Sequence, residues 1–258
     1  MFLPDNVPII CNLPKDIPYA DIYFLHDIHF GSELFDEKKW KNIKKEINDN
    51  EFAYVCWIGD VMENAIPNSK SNMFTQTHSP AQQKEWAAQE LFDLRNKTLS
   101  VVAGNHENNR TTKTSGLYPL YDICMLAGVD KKYRDTIAYL DIGIGKRRDK
   151  KRQIHYFGQI QHVSREAKNY GYSDFTDGID FYAFGHDHTP IDRPRAKMVF
   201  DQHNKVIYKR NIENINCGSF CDFGGYGAKG AYRPQSDKMY KLRIFGGEKK
   251  METTGFYV

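Results

Sequence analysis

The sequence predicts an α/β protein in which two β-sheets pack together with helices outside them. Three observations lead there. Short apolar runs alternate with helix-period patterns through the first half, the second half is almost entirely strand-like, and 258 residues at 40% hydrophobic and 27% charged suffice for one large core. Pro4, Pro8, Pro14 and Pro18 make residues 1–18 an extended arm that cannot be helical. Asp21–Leu25 reads as a strand, and Asp36–Asn48 as an amphipathic helix with Trp40, Ile43 and Ile47 on one face. Phe52–Ile58 is apolar throughout, the mark of a strand buried on both sides. Ser79-Pro80-Ala81-Gln82 supplies a cap, a proline at the first helical position and a capping-box glutamine, and Ala87, Leu91 and Leu94 follow on one face.

Leu99–Ala103 is the next strand and Leu117–Leu126 the next helix. Thr136–Ile142 and Arg152–Ile160 read as strands around a basic turn, and Ile179–Phe184 as another strand. The remainder is β: Ala196–Phe200, Val206–Arg210, Ile212–Cys217, Met239–Phe245 and Glu252–Tyr257, with Gly246-Gly247 as a hairpin turn. No repeat, low-complexity tract or linker interrupts the chain, so residues 1–258 are expected to form a single domain.

Charge and hydropathy narrow the function classes. The net charge is +3, from 36 Lys and Arg against 33 Asp and Glu, and favours no nucleic-acid partner by itself. The longest apolar run, Phe52–Ile58, falls far short of the roughly 20 residues a membrane span needs. The N-terminus lacks the basic start and apolar stretch of a signal peptide. Cys11, Cys56, Cys124, Cys217 and Cys221 are odd in number and scattered, a pattern of reduced thiols in a cytoplasm rather than of a disulfide framework or structural zinc site.

The chemistry lies where the apolar runs stop. Tyr23-Phe24-Leu25 is followed by His26-Asp27-Ile28-His29, Ala53–Ile58 by Gly59-Asp60, and Val101-Val102-Ala103 by Gly104-Asn105-His106-Glu107. The run Ile154–Gln161 is followed by His162, and Tyr182-Ala183-Phe184 by Gly185-His186-Asp187-His188. Sites in α/β sheets form outside the carboxyl ends of strands. Asp27, His29, Asp60, Asn105, His162, His186 and His188 are therefore expected to converge. Imidazole, carboxylate and amide oxygen without thiolate suit Mn, Fe, Zn or Ni. Seven donors are too many for one ion and fit two ions sharing a carboxylate. The glycines before Asp60, Asn105 and His186 are expected to allow tight turns that aim the next side chain inward. Each motif alone is weak; the ordered set of five is not.

That ordered set resembles the calcineurin-like metallophosphoesterase superfamily, and the β-rich remainder is similar to that family's second sheet. The resemblance implies a four-layer αββα sandwich of two mixed β-sheets flanked by helices, with a dinuclear metal centre. By position, one metal would take Asp27, His29 and His188, the other Asn105, His162 and His186, and Asp60 would bridge them. His155 competes with His162, but His162 closes its strand whereas His155 opens it. Two such ions, Mn²⁺ above all, can lower the pKa of a bridging water so that hydroxide attacks phosphorus in line with the leaving oxygen. His106 is the family's candidate general acid.

In the related phosphoprotein phosphatases Asp-Arg-Gly follows the bridging aspartate. Gly59-Asp60-Val61-Met62-Glu63-Asn64 lacks that arginine and glycine, which argues against a Ser/Thr protein phosphatase. The expectation is a phosphodiesterase acting on a nucleic-acid or nucleotide diester; a monoesterase of the same fold and a non-catalytic metal-binding scaffold are the alternatives. Arg110 is a candidate phosphate contact, Glu63 a candidate support for His106, and His78 a candidate rim residue. Lys146–Arg152 carries six basic residues in seven positions and reads as a solvated hairpin tip before it reads as a nucleic-acid contact. Phe220–Arg233, rich in glycine, aromatic and basic residues, is a candidate base-stacking loop. Nothing in the sequence sets the oligomeric state.

Overall fold

The computed structural model describes residues 2–67, 69–146, 152–163, 176–229 and 233–258. The chain opens with strands β1 (Ile9–Asn12) and β2 (Tyr19–Leu25), then helix α1 (Glu37–Asp49), β3 (Ala53–Ile58), α2 (Pro80–Asp93) and β4 (Thr98–Val102). A π-helical turn (Asn108–Thr112), the single turn α3 (Lys113–Ser115) and α4 (Pro119–Leu126) lead to β5 (Tyr133–Arg134) and β6 (Ile137–Ile144). There follow β7 (Ile154–His162), β8 (Phe181–Gly185), β9 (Ile191–Asp192), β10 (Arg195–Asp201) and β11 (Val206–Asn216). Short helix α5 (Gly225–Lys229), β12 (Met239–Phe245) and β13 (Met251–Phe256) complete the order.

Among the described residues these strands make two mixed sheets with flanking helices, the α/β class expected. One runs β13-β12-β2-β3-β4-β5, with β2 to β5 parallel; the other runs β1-β6-β7-β8-β11-β10, with β9 also on β11. In the second sheet β7, β8 and β11 are parallel. Alternation puts Ala138, Leu140 and Ile142 of β6 and Tyr156 and Ile160 of β7 into the shared core. Tyr156 crosses from β7 to the turn between β12 and β13, where its hydroxyl accepts from the Lys250 amide at 2.9 Å.

Asp36 starts α1 by accepting from the Lys39 amide at 2.9 Å, and the buried Trp40 of that helix meets Trp57 of β3 with ring centroids 5.8 Å apart. Ser79 and Gln82 form the capping box of α2. Pro119 sits in the first turn of α4, so that helix begins two residues later than the sequence pattern suggests.

Three local readings change. The extended arm is partly a strand, because Ile9–Asn12 pairs in parallel with Leu140–Gly143. Val206–Arg210 and Ile212–Cys217 are one strand, β11, whose first half carries the β10 ribbon and whose second half lies on β8. Phe220 is fully buried against Trp40, so the Phe220–Arg233 segment begins in the core; residues 230–232 lie outside the described residues. The basic turn at 147–151 also lies outside them. The five cysteines are free thiols. Among the described residues no helix is long and apolar enough to cross a membrane.

Candidate metal centre

β2, β3 and β4 run parallel in one sheet, β7 and β8 in the other, and the residues after their carboxyl ends meet. The loops stay paired beyond the strands: the Asp27 amide donates to Gly59 O at 3.1 Å and the His29 amide to Asp60 O at 3.0 Å. Seven described non-glycine residues have positive φ, and five are candidate ligands: Asp27 (50°), His29 (56°), Asp60 (49°), His186 (96°) and His188 (53°). Such backbone costs about 1–3 kcal/mol per residue and persists where the surroundings enforce it.

The glycines act differently from the expectation. Of Gly59, Gly104 and Gly185 only Gly59 has a positive φ, at 72°. Gly104 and Gly185 are needed for room. A Cβ on Gly104 would lie 2.1 Å from Asp60 Oδ1, and one on Gly185 would lie 2.9 Å from Ile58 O. The ligands themselves take the unusual dihedrals, while the glycines let the loops touch.

The side chains gather into overlapping sets. Asp27, His29 and His188 bring one ligand atom each within 4.8 Å of one another, as do Asp60, His162 and His186, and His29, Asp60 and His106. Asp27 Oδ1 is 3.3 Å from His188 Nε2 and 3.8 Å from His29 Nε2. Asp60 Oδ2 is 3.2 Å from His162 Nε2, which also lies 3.1 Å from Asn105 Oδ1 and 3.3 Å from His186 Nδ1. All seven candidates are therefore brought together. His155, seven residues before His162 on β7, faces away and pairs with Asp141 at 2.6 Å.

Four of the seven candidates turn one end to the protein and the other to the site. Asp27 Oδ2 accepts from His26 Nδ1 at 2.6 Å and from the His186 amide at 2.8 Å, leaving Oδ1 buried without a hydrogen-bond partner. Asp60 Oδ1 accepts from the His106 amide at 2.8 Å and leaves Oδ2 facing His162 in the site. His162 Nδ1 donates to Ile58 O at 2.7 Å, so Nε2 is the ring nitrogen turned toward the site. His29 Nδ1 faces Glu63 Oε2 at 3.2 Å, and its buried Nε2 has no hydrogen-bond partner. Orphaned buried donor atoms of this kind call for a further group. Nitrogen and oxygen donors so arranged fit a divalent cation.

The electrostatics agree. Burial disfavours ionisation of Asp27, but His188, His26 and His162 overcome it and hold the carboxyl well below its usual range. Burial likewise opposes the His162 cation, yet Asp60 pushes its pKa up to about 10. Burial brings His106 down to about 4, with Asp60 opposing and His29 and Arg110 adding to the fall.

Around this set the structure gives Arg110 and Glu63 their partners and brings in two further residues. Arg110 is turned inward: its guanidinium donates to Glu63 O at 2.6 Å and to His106 Nε2 at 2.7 Å, and its side chain is 12% exposed. In this arrangement its donors hold neighbouring groups. The Glu63 carboxylate supports His29, while its main-chain oxygen accepts from His106 Nδ1 at 2.8 Å. With Nδ1 donating and Nε2 accepting, His106 is neutral as it stands. Glu107, which the sequence left unassigned, is fully buried and accepts from the amides of Asp60 (3.1 Å), Val61 (2.6 Å), Met62 (3.0 Å) and Gly104 (3.0 Å). His26 bridges Asp27 and the Cys217 amide, which donates to its Nε2 at 3.0 Å. Only its place between a strand and Asp27 hinted at this. His78 packs its ring on Trp86, 5.2 Å away, as part of the α2 entry.

No family model matches the chain, and no curated protein sequence matches it. Similar solved structures include a conserved uncharacterised protein of Streptococcus pneumoniae described as a predicted phosphoesterase, at 12% identity and TM-score 0.41, covering 93% of this chain and 98% of that one. Another is Vps29 of Chaetomium thermophilum, at 9% identity and TM-score 0.40, covering 93% of this chain and 97% of that one. At such scores the likeness carries no functional weight, and the reading of this protein rests on its site.

Gly104→Ala is expected to displace the Asp60 carboxylate and to weaken Mn²⁺ binding at least about tenfold, roughly 1.4 kcal/mol, in a calorimetric titration; unchanged affinity would show that the loops have slack. With no cation bound, His162 keeps its proton up to about pH 10. Metal must displace that proton, so Mn²⁺ affinity should rise with pH through the neutral range, with proton release measurable in buffers of different ionisation enthalpy. Uptake without proton release would remove His162 from the ligand set.

Proposed function

We propose that the protein is a dinuclear-metal-dependent phosphoesterase, and within that class a phosphodiesterase acting on a nucleic-acid or nucleotide diester. The position of Asp60 carries this reading. Its Oδ2 lies 3.2 Å from His162 Nε2 and 3.7 Å from His106 Nε2, and it shares one ligand set with His29 and another with His162 and His186. One carboxylate thus lies between two groups of nitrogen and oxygen donors. Asp27, His29 and His188 would hold one cation and Asn105, His162 and His186 the other, with Asp60 common to both. Mn²⁺ suits this mixed set best, with Fe, Zn and Ni as alternatives. A pair of such cations supplies Lewis acidity toward phosphoryl oxygens and lowers the pKa of water.

The chain's own residues do the rest. Glu63 and His26 keep a ring nitrogen or a carboxylate oxygen turned toward the site. His106 sits next to Asp60 and serves as the proton donor to the leaving oxygen. For that, Nε2 must gain a proton and part from Arg110, which contacts it at 2.7 Å. An anionic substrate favours both changes, since it attracts the guanidinium and stabilises an imidazolium. The free thiols suit a reducing compartment, and a cytoplasmic location is part of this proposal.

Bis-(p-nitrophenyl) phosphate is expected to be hydrolysed faster than p-nitrophenyl phosphate with added Mn²⁺. A strong preference for the monoester would overturn the diester reading, and tightly held metal without turnover on either ester would leave a binding scaffold. His106→Ala should lower turnover by about 10²-fold or more on diesters with alkyl leaving groups and by less on nitrophenyl esters, whose leaving oxygen needs little protonation. Equal losses on both would exclude the acid role.

A further inference from the structure

A cavity of about 590 Å³ opens beside Asn105, His162 and His186 and extends away from the metal ligands. One wall is a continuous turn-and-helix segment. Asn105, Asn108, Asn109, Thr112 and Lys113 line it, at spacings of three, four, seven and eight residues from the first. The middle of that segment is the π-helical turn, an irregularity that often marks functional sites. The facing wall includes Asp135, Thr136 and Val163.

The wall's chemistry is specific. Asp135, the one acid among the described residues that line the cavity, is engaged: its Oδ1 accepts from Tyr133 Oη at 2.9 Å and from Asn108 Nδ2 at 2.8 Å. With its amide nitrogen held in that way, Asn108 leaves Oδ1 buried and without a hydrogen-bond partner. Lys113 is exposed and, among the described residues, has no ion-pair partner. It lies eight residues beyond Asn105, on the order of 10 Å along a helix axis. The wall therefore presents amide side chains near the site, Asn109 among them exposed, and a cation farther out. A nucleoside base carrying N–H groups, followed by a phosphate, offers the complementary pair.

We propose that this cavity is a nucleotide subsite, holding the nucleoside next to the scissile phosphate while Lys113 pairs with a phosphate farther along, so that the preferred substrate is single-stranded polynucleotide rather than a cyclic or mononucleotide. The inference rests on the phosphodiesterase reading of the adjoining site. The volume lies within the range of small-molecule subsites, and a substrate with one phosphate cannot occupy both the metal ligands and Lys113.

The test compares wild type, Lys113→Glu and Lys113→Ala, with Lys38→Ala on the exposed face of α1 as the charge control. Substrates are DNA and RNA hexamers, a 3′,5′-cyclic nucleotide and bis-(p-nitrophenyl) phosphate, all with Mn²⁺. Hexamer kcat/KM is expected to exceed that of the cyclic nucleotide, and Lys113→Glu to lower the ratio of hexamer to bis-(p-nitrophenyl) phosphate kcat/KM by about tenfold or more. The DNA and RNA arms distinguish the two sources of the same backbone. Hexamer binding without metal, followed by fluorescence anisotropy, should lose about 0.7 from its salt slope in Lys113→Ala. Preference for the cyclic nucleotide, equal losses on both kinds of substrate, or an unchanged salt slope would each overturn the subsite. Absence of turnover on every ester would defeat the phosphodiesterase reading instead, and the salt slope would still decide the subsite.

Discussion

The site depends on one buried carboxylate that touches no substrate. Glu107 gathers the amides of Asp60, Val61, Met62 and Gly104, and so clamps the loop after β3 to the loop after β4. Hydrogen bonds from backbone amides to a charged acceptor in a dry interior are stronger than neutral ones. This cluster sets how close Asp60 comes to Asn105. The contact of Gly59 with Gly104 is its steric counterpart, since a side chain at either position would push the loops apart.

That clamp lets strain accumulate where it is useful. Asp27, His29, Asp60, His186 and His188 all hold left-handed backbone, a conformation that glycine takes more readily than any of them. Ordinary turns would put glycine there. Here the strained positions carry the candidate ligands, at the mouth of the sheets. The cost is borne by the parallel strands behind, whose buried cores hold the loop ends still.

Polar satisfaction is divided with the same economy. Asp27 and Asp60 each fasten one oxygen to the protein and leave the other facing neighbouring ring nitrogens, and His162 fastens Nδ1 and presents Nε2. Carboxylates held ionised beside a raised imidazole pKa describe a site in which protons occupy the place a cation would take. The wall from Asn105 to Lys113 continues that polarity outward, changing from candidate ligand to amide, hydroxyl and finally ammonium along one turn-and-helix segment.

The sequence alone determined the strands that carry the site and the residue types at their ends. Long apolar runs such as Phe52–Ile58 stop abruptly at Gly-Asp or Gly-His, and both signals are local. It also favoured His162 over His155, since position on a strand decides which end a side chain reaches. Tertiary structure alone decided what depends on contacts between distant segments. Four residues between prolines gave no sign that Ile9–Asn12 would pair with β6, and nothing near Glu107 announced that it would bind amides some 45 residues upstream. Arg110 looked free in the sequence, but packing turned it onto Glu63 and His106. Periodicity and residue chemistry are written along the chain, whereas the partners of a buried polar group are settled only when remote loops are brought into contact and water is excluded.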